Sequence, residues 1–289
     1  LHASNRITRG SNLMNRVKSV FISLYLTLLV VGLVRALWQL SVQPAWGWVV
    51  LALLPALGFF GWVFGFRVAR TGYASVVMWA APLIASVAML ISGVTLVEPW
   101  IWVLDVGLGG ALLYVLWYSR YGARDSLVLQ CGNTLPELVF ETEHGQRVST
   151  QDFKGPLLLL FYRGNWCPLC MAQIREVADQ YNELAAKGVN LLMISPQSHN
   201  NTAALAQRFS VPMQFLVDRD LVAAKKLGIE ALAGLPAGLE ALGYDSDTVM
   251  PTVVITDAEH NIIFVDQTDN YRVRPEPATF MQALAAAGL

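Results

Sequence analysis

Pro156-Leu157-Leu158-Leu159-Leu160-Phe161-Tyr162-Arg163-Gly164-Asn165-Trp166-Cys167-Pro168-Leu169-Cys170 reads as a buried strand that ends, two thiols three residues apart, and a helix that begins. The run 156–162 is apolar throughout, as a central parallel strand covered on both faces must be. Pro168 suits a first helical turn, where its missing N–H is harmless. Cys167 then stands at the helix N-terminus, where free backbone N–H groups and the helix dipole favour a thiolate. Cys170 falls one turn on, on the same side and deeper. The pair reads as a reversible dithiol/disulfide couple in which Cys167 attacks, Cys170 resolves, and Trp166 shields one flank of the sulfur. Half of a zinc site is another reading, but no second cysteine pair completes it, and His144 and His199 lack ligand spacing. Against an inert core pair stands its place at a strand end, where open α/β sheets meet their ligands.

Outward from this stretch the pattern alternates as in an α/β protein. Residues 137–141 and 146–149 form a candidate hairpin around His144-Gly145, and 168–187 a helix that Gly188 ends. Strands are expected at 189–195 and 213–217, with helices at 201–209 and 221–227. Residues 234–247, rich in Gly, Pro and Leu, read as an insertion or lid. A hairpin of 252–256 and 262–265 and a helix at 277–287 follow. Strand–helix–strand, then an antiparallel hairpin, then a helix is the thioredoxin-like order. In such folds a Pro at the place of Pro251, in Met250-Pro251-Thr252, is cis, lies against the dithiol and offers a backbone edge to substrate.

Upstream the chain changes character. Runs 20–40, 46–66, 74–96 and 100–118 are each apolar over about the length a bilayer core requires. The expected architecture is a four-span α-helical transmembrane bundle, 1–124, followed by an α/β thioredoxin-like domain, 125–289. Arg16 and Lys18 precede the first run, Arg67 and Arg70 follow the second, and Arg120 and Arg124 follow the last, whereas the other two loops carry only Glu98. That bias places both termini and the thiol domain in the cytoplasm, in a multi-pass protein of a bacterial inner membrane. Arg35 and Asp105 are ionisable groups within apolar runs and could pair with each other. With no cysteine before Cys131, the bundle is expected to anchor, to oligomerise or to bind a partner rather than to relay electrons. The chain opens on Leu1, and Met14-Asn15-Arg16-Val17-Lys18 is a more usual start; no function is built on 1–13.

A net charge of −1 gives no reason to expect nucleic acid as a partner. Three cysteines, two of them in one motif, are too few for a disulfide scaffold and point to catalysis or metal binding rather than stapling. Cys131 stands alone, as a free thiol near the start of the second half or as a resolver between subunits.

Four segments carry a resemblance: 132–138 (Gly-Asn-Thr-Leu-Pro-Glu-Leu), 161–170, Met250-Pro251-Thr252, and 269–277 (Asp-Asn-Tyr-Arg-Val-Arg-Pro-Glu-Pro). Together they are similar to bacterial peroxiredoxin-like proteins of the AhpC/TSA group in the thioredoxin superfamily, over roughly 130–289. The resemblance implies thiol-dependent reduction of peroxides or disulfides with Cys167 at the attacking position. It also implies an Arg that stabilises thiolate and peroxide, for which Arg163, Arg272 and Arg274 are the candidates. Two departures stand out: Gly164 replaces the hydroxyl residue usual three positions before the attacking cysteine, and Cys170 is present where typical members lack a thiol.

The expected site is therefore Cys167 and Cys170, with Arg163, Trp166, Pro251, Thr252 and Arg274 on the substrate. Its expected partners are a hydroperoxide or protein disulfide, a cytosolic dithiol reductant such as thioredoxin, the lipid bilayer, and a second copy through the bundle. The cycle calls for no metal or organic cofactor. A thiol–disulfide oxidoreductase acting on membrane proteins, and a redox-sensing module, are the alternatives to a peroxidase.

Overall fold

The computed structural model describes residues 2–289 apart from Arg67, Ala123 and Asp125, and describes the side chains from residue 12 onward, Tyr73 excepted. The Arg67 part of the charge-bias argument thus lies outside the described residues.

Helices α1 (His2–Leu40), α2 (Trp46–Gly65), α3 (Val76–Ile91) and α4 (Val97–Tyr118) form the first half. On α1, Ile22, Tyr25, Leu29 and Ala36 are buried at alternating spacings of three, four and seven, a stripe facing the other helices. The opposite face is equally apolar yet exposed, with Leu24, Val31, Val34, Leu37 and Trp38 pointing outward. Among the described residues, exposed large apolar side chains beyond Leu116 are only Leu127, Val139, Val222, Leu242 and Val273. Helices apolar all round suit a non-aqueous surround. Close packing depends on small residues: a side chain at Gly32 would meet the Trp102 ring at 2.6 Å.

Three helical stretches, 12–40, 46–65 and 97–118, are long and apolar enough to cross a membrane. The expected third span, 74–96, is shorter: after a 3₁₀ turn at Gly72–Ser75, α3 runs for 16 residues. Gly93, at φ +63°, stops it with the double bond of a Schellman cap, Gly93 N–H to Leu90 and Val94 N–H to Met89. Arg35 and Asp105 do not pair. Arg35 instead meets Glu98 at 3.1 and 3.3 Å, and its guanidinium lies 5.5 Å from the Trp46 ring. The reason is depth: Asp105 stands about 10 Å further along α4 than Glu98 by helical rise, on the exposed face. Within α4, residues Trp102–Gly109 and Tyr114–Tyr118 have the wider π-type hydrogen bonding, a feature often found at functional sites.

The second half is a seven-stranded sheet in the order β2-β1-β5-β4-β3-β8-β9. Its strands are β1 (Val139–Thr142), β2 (Arg147–Ser149), β3 (Leu157–Phe161), β4 (Asn190–Ser195), β5 (Gln214–Val217), β8 (Thr252–Thr256) and β9 (Ile262–Asp266), while β6 (Glu230–Ala231) and β7 (Thr248–Val249) pair separately. β3, β4 and β5 run parallel, and β8 lies antiparallel to β3 with Phe161 opposite Thr252. β3 is buried at every residue, as its composition requires. Leu158, Leu160 and Tyr162 face α5 (Pro168–Asp179) and the C-terminal α9 (Pro277–Ala286), while Leu157, Leu159 and Phe161 face α8 (Val222–Leu227). The expected long helix 168–187 breaks at Gln180 into α5 and α6 (Tyr181–Ala186), and α7 is His199–Ala206. One apolar cluster runs without interruption from Ile22, Phe60 and Tyr114 through Cys167 and Leu169 to Ile174 and Phe280. The two halves thus share a core, and the dithiol sits where they meet.

Candidate active site

Cys167 is the N-cap of α5, with Pro168 in its first turn, and its sulfur accepts the Cys170 N–H at 3.4 Å. Both cysteines are buried free thiols. Behind them, Arg274 places Nη2 3.5 Å from Cys170 Sγ and donates through Nη1 to Gln173 Oε1 at 2.7 Å. Burial opposes a charge on Cys170, but the hydrogen bond it shares with Cys167 and the Arg274 guanidinium outweigh it and hold the thiol down to about 6. Cys167 is pushed well up, by burial first and then by its neighbour. The two sulfurs titrate as one pair, and Arg274 and Arg163 favour the charged form of both.

Arg274 is itself held from the helical half. Arg70, between α2 and α3, binds Glu176 of α5 at 3.0 and 2.7 Å and donates to the carbonyls of Arg274 and Pro275 at 2.8 and 2.9 Å. Thr71 N–H donates to the Arg272 carbonyl, Tyr271 N–H to the Ser119 carbonyl, and the Tyr114 and Tyr271 hydroxyls meet at 2.7 Å. The whole 271–275 segment is therefore fixed by bundle residues.

A cavity of about 220 Å³ opens on Cys167. Its walls come from α1 (Ile22, Leu26), α2 (Phe60, Val63), α4 (Tyr114) and Tyr271. Arg163, Trp166 and the 234–247 insertion complete it. That insertion is tied down along α1: Ser23 Oγ donates to the Ala237 carbonyl at 2.7 Å, Ala237 N–H to Ser19 O at 3.2 Å, and Ser19 Oγ to the Leu235 carbonyl. The bundle carries no cysteine, yet beyond anchoring, oligomerising or binding a partner it walls the thiol.

Of the expected substrate residues, Arg163 and Trp166 line this cavity, the guanidinium lying 4.7 Å from the indole centroid. Arg163 also donates to the Gly234 carbonyl. Arg274 stands behind Cys170 and does not line the cavity. Pro251 and Thr252 do not line it; with Gln173 and Arg274, the arginine that reaches Cys170, they border a separate void of about 10 Å³, room for one water at most. Among the described residues no peptide bond is cis, so Met250–Pro251 is trans, contrary to expectation. Its edge is also taken: Arg124 donates to the Pro251 carbonyl at 2.9 Å, to Thr268 O at 3.0 Å and to Thr252 Oγ1 at 2.5 Å. Of the other candidate arginines, Arg272 is buried and does not line the cavity. Gly164, at φ +149°, faces the Trp166 indole so closely that a Cβ would meet Nε1 at 2.5 Å. The indole therefore fills the space of the missing hydroxyl residue. Sequence reasoning missed Tyr114, Arg70, Gln173 and Arg124; only the positive charge of the short loops pointed near two of them.

A buried dithiol at the start of the helix after a central parallel strand defines a thioredoxin-fold enzyme of thiol redox chemistry. The comparisons narrow this: residues 131–265 match the AhpC/TSA family. Chloroplastic peroxiredoxin Q of Sedum lineare is 28% identical over 124 residues, 42% of this chain and 67% of that protein. The thiol-disulfide oxidoreductase ResA of Bacillus subtilis is 27% identical over 85 residues, 29% of this chain and 46% of its own. Peroxiredoxin Bcp of Bacillus subtilis is 23% identical over 125 residues, 43% of this chain and 79% of its own. Among solved structures, the peroxidoxin BcpB of Mycobacterium tuberculosis matches with TM-score 0.43 and 19% identity, over 54% of this chain and 95% of that one. On this likeness the enzyme is peroxiredoxin-like or a thiol–disulfide oxidoreductase.

Proposed function

We propose that this chain is a membrane-anchored antioxidant oxidoreductase with a bundle at 1–124 and a catalytic domain at 125–289, reducing hydroperoxides through Cys167 and Cys170. The observation that carries the reading is the placement of Cys167 Sγ, at a helix N-terminus and open to a cavity, with Cys170 one turn behind it under Arg274. The proton of Cys167 passes to Cys170, and the Cys167 thiolate attacks the distal peroxide oxygen. An S–O bond forms, the O–O bond breaks, and the alkoxide takes a proton. Cys170 then attacks the sulfenic sulfur, forming the disulfide and releasing water. A cytosolic dithiol such as thioredoxin resets the pair by exchange.

The apolar outer faces of the helices support insertion into a bilayer, and the basic residues around α1, α2 and α4 support a cytoplasmic catalytic domain. Consumption of hydroperoxide by the full chain in detergent, with a thioredoxin system as electron source, tests the reading. Turnover should be lost in Cys167→Ser; wild-type turnover of a model disulfide but of no hydroperoxide would reject it. That second outcome is the alternative, a thiol–disulfide oxidoreductase for membrane proteins, and the indole against Gly164 favours it.

A further inference from the structure

The cavity at Cys167 has a composition unlike an opening for hydrogen peroxide. Ile22, Leu26, Phe60, Val63 and Leu239 give it an apolar body of about 220 Å³, room for roughly seven water-sized groups. A peroxide of two oxygens needs none of this. Most of the apolar walls come from α1 and α2, and α1 carries exposed apolar side chains on its other face, Leu24, Val31, Val34 and Leu37 among them. Phe64, near the end of α2, is 62% exposed on the rim. The opening thus lies between α1, α2 and the insertion, where a chain lying among lipids would enter sideways.

The polar lining groups are Ser23, whose hydroxyl is spent on the Ala237 carbonyl, the Trp166 indole, Arg163, Tyr114, Tyr118 and Tyr271. Arg163 Nε–H is buried and has no acceptor among the described residues. Tyr114 and Tyr271 place two hydroxyls in one mutual contact, so one of their two protons has no acceptor there. An apolar slot closed by a thiol and two unused proton donors fits an amphiphile whose reactive oxygens sit partway along an apolar chain.

Resting on the peroxide reading above, we propose that the cavity binds the hydroperoxide of an unsaturated fatty acyl chain drawn from the bilayer between α1 and α2. The chain lies against Ile22, Leu26, Phe60 and Val63, and the peroxide reaches Cys167. Arg163 Nε–H holds the peroxide oxygens. As the O–O bond breaks, the unused Tyr114/Tyr271 hydroxyl proton passes to the alkoxide, and the phenol regains it from solvent. In sum, two thiols and one acyl hydroperoxide give one disulfide, one acyl alcohol and one water.

The test is the rate at which the reduced full chain, in phosphatidylcholine vesicles, forms its Cys167–Cys170 disulfide. Linoleic acid hydroperoxide should be faster than hydrogen peroxide by about tenfold or more, which burial of only two methylenes would supply. Val63→Trp, which fills the slot, should bring the ratio of the two rates near unity. Leu26→Trp, at the half-buried mouth, should do the same and serves should the first variant not fold. Hydrogen peroxide as fast as the acyl hydroperoxide, or a ratio unmoved in both variants, overturns the inference and leaves the peroxidase reading standing. A short-chain benzoquinone oxidising the pair faster than either peroxide also overturns it. Oxidation by neither hydroperoxide, with a model disulfide still reduced, removes both.

Discussion

Arg70 and Glu176 form a two-pronged ion pair, at 3.0 and 2.7 Å, that joins the loop after α2 to the helix carrying the dithiol. The same guanidinium holds the carbonyls of Arg274 and Pro275, so a residue of the helical half fixes the cation that sits on Cys170. Bidentate geometry with both side chains at least two-thirds buried separates this pair from ordinary surface ion pairs.

Loss of that latch should reach the thiols. Arg70→Ala is expected to free Arg274 and raise the pH at which the reduced pair becomes half reactive toward iodoacetamide, by about half to one unit. Arg70→Lys, which cannot make the fork, should resemble it. An unchanged profile in both would show that Arg274 holds its place without Arg70.

Removal of Arg274 itself should act more strongly and in the same direction. The Cys170 thiol, held down to about 6, is ionised above that pH and gains its proton as pH falls through it. The first proton of the reduced pair should therefore leave near that pH, read by thiolate absorbance. In Arg274→Gln the midpoint should climb toward the ordinary thiol value of about 8.5.

Gly164→Thr restores the hydroxyl residue of typical relatives but places its side chain on the Trp166 indole. Alone it should lower dithiol oxidation by hydroperoxide. Combined with Trp166→Ala, which vacates the space, it should recover and exceed the rate of Trp166→Ala alone. A Gly164→Thr protein faster than wild type would show that the indole yields.

Asp218 is buried and accepts the Ala223 and Ala224 N–H groups at 2.8 Å each, capping α8. Asp218→Ala leaves both donors without their partner and should cost about 1–3 kcal/mol, lowering the thermal midpoint. Asp218→Asn, which keeps one acceptor, should lie between.

Cys131 is the one exposed cysteine among the three. In intact spheroplasts it should resist a membrane-impermeant maleimide and label after lysis, as the proposed cytoplasmic placement requires. Labelling of intact cells would invert the orientation.

Much of this architecture is legible along the chain, because the signals are local. The apolar run 157–161, bounded by Pro156 and by Gly164, forms a buried strand, Pro168 opens a helix, and Gly188 at φ +71° ends one. The dithiol's spacing puts both sulfurs on one side of a turn. Gly93 is equally local, but a hydropathy window averages over many residues and hides a cap made by one.

What the amino-acid order determined by itself was the apolar first half, the strand–dithiol–helix unit and the α/β alternation after it. Only the tertiary structure decided which charges meet: Arg35 with Glu98 rather than Asp105, Arg70 with Glu176, Arg124 with Pro251, Arg274 with Cys170. It also decided that α1, α2 and α4 wall the thiol. Periodicity and caps act within a few residues, where backbone geometry fixes who is near whom. Pairs separated by some hundred positions, as Arg70 and Glu176 are, depend on helix length, depth and packing of the whole chain, which no short window contains.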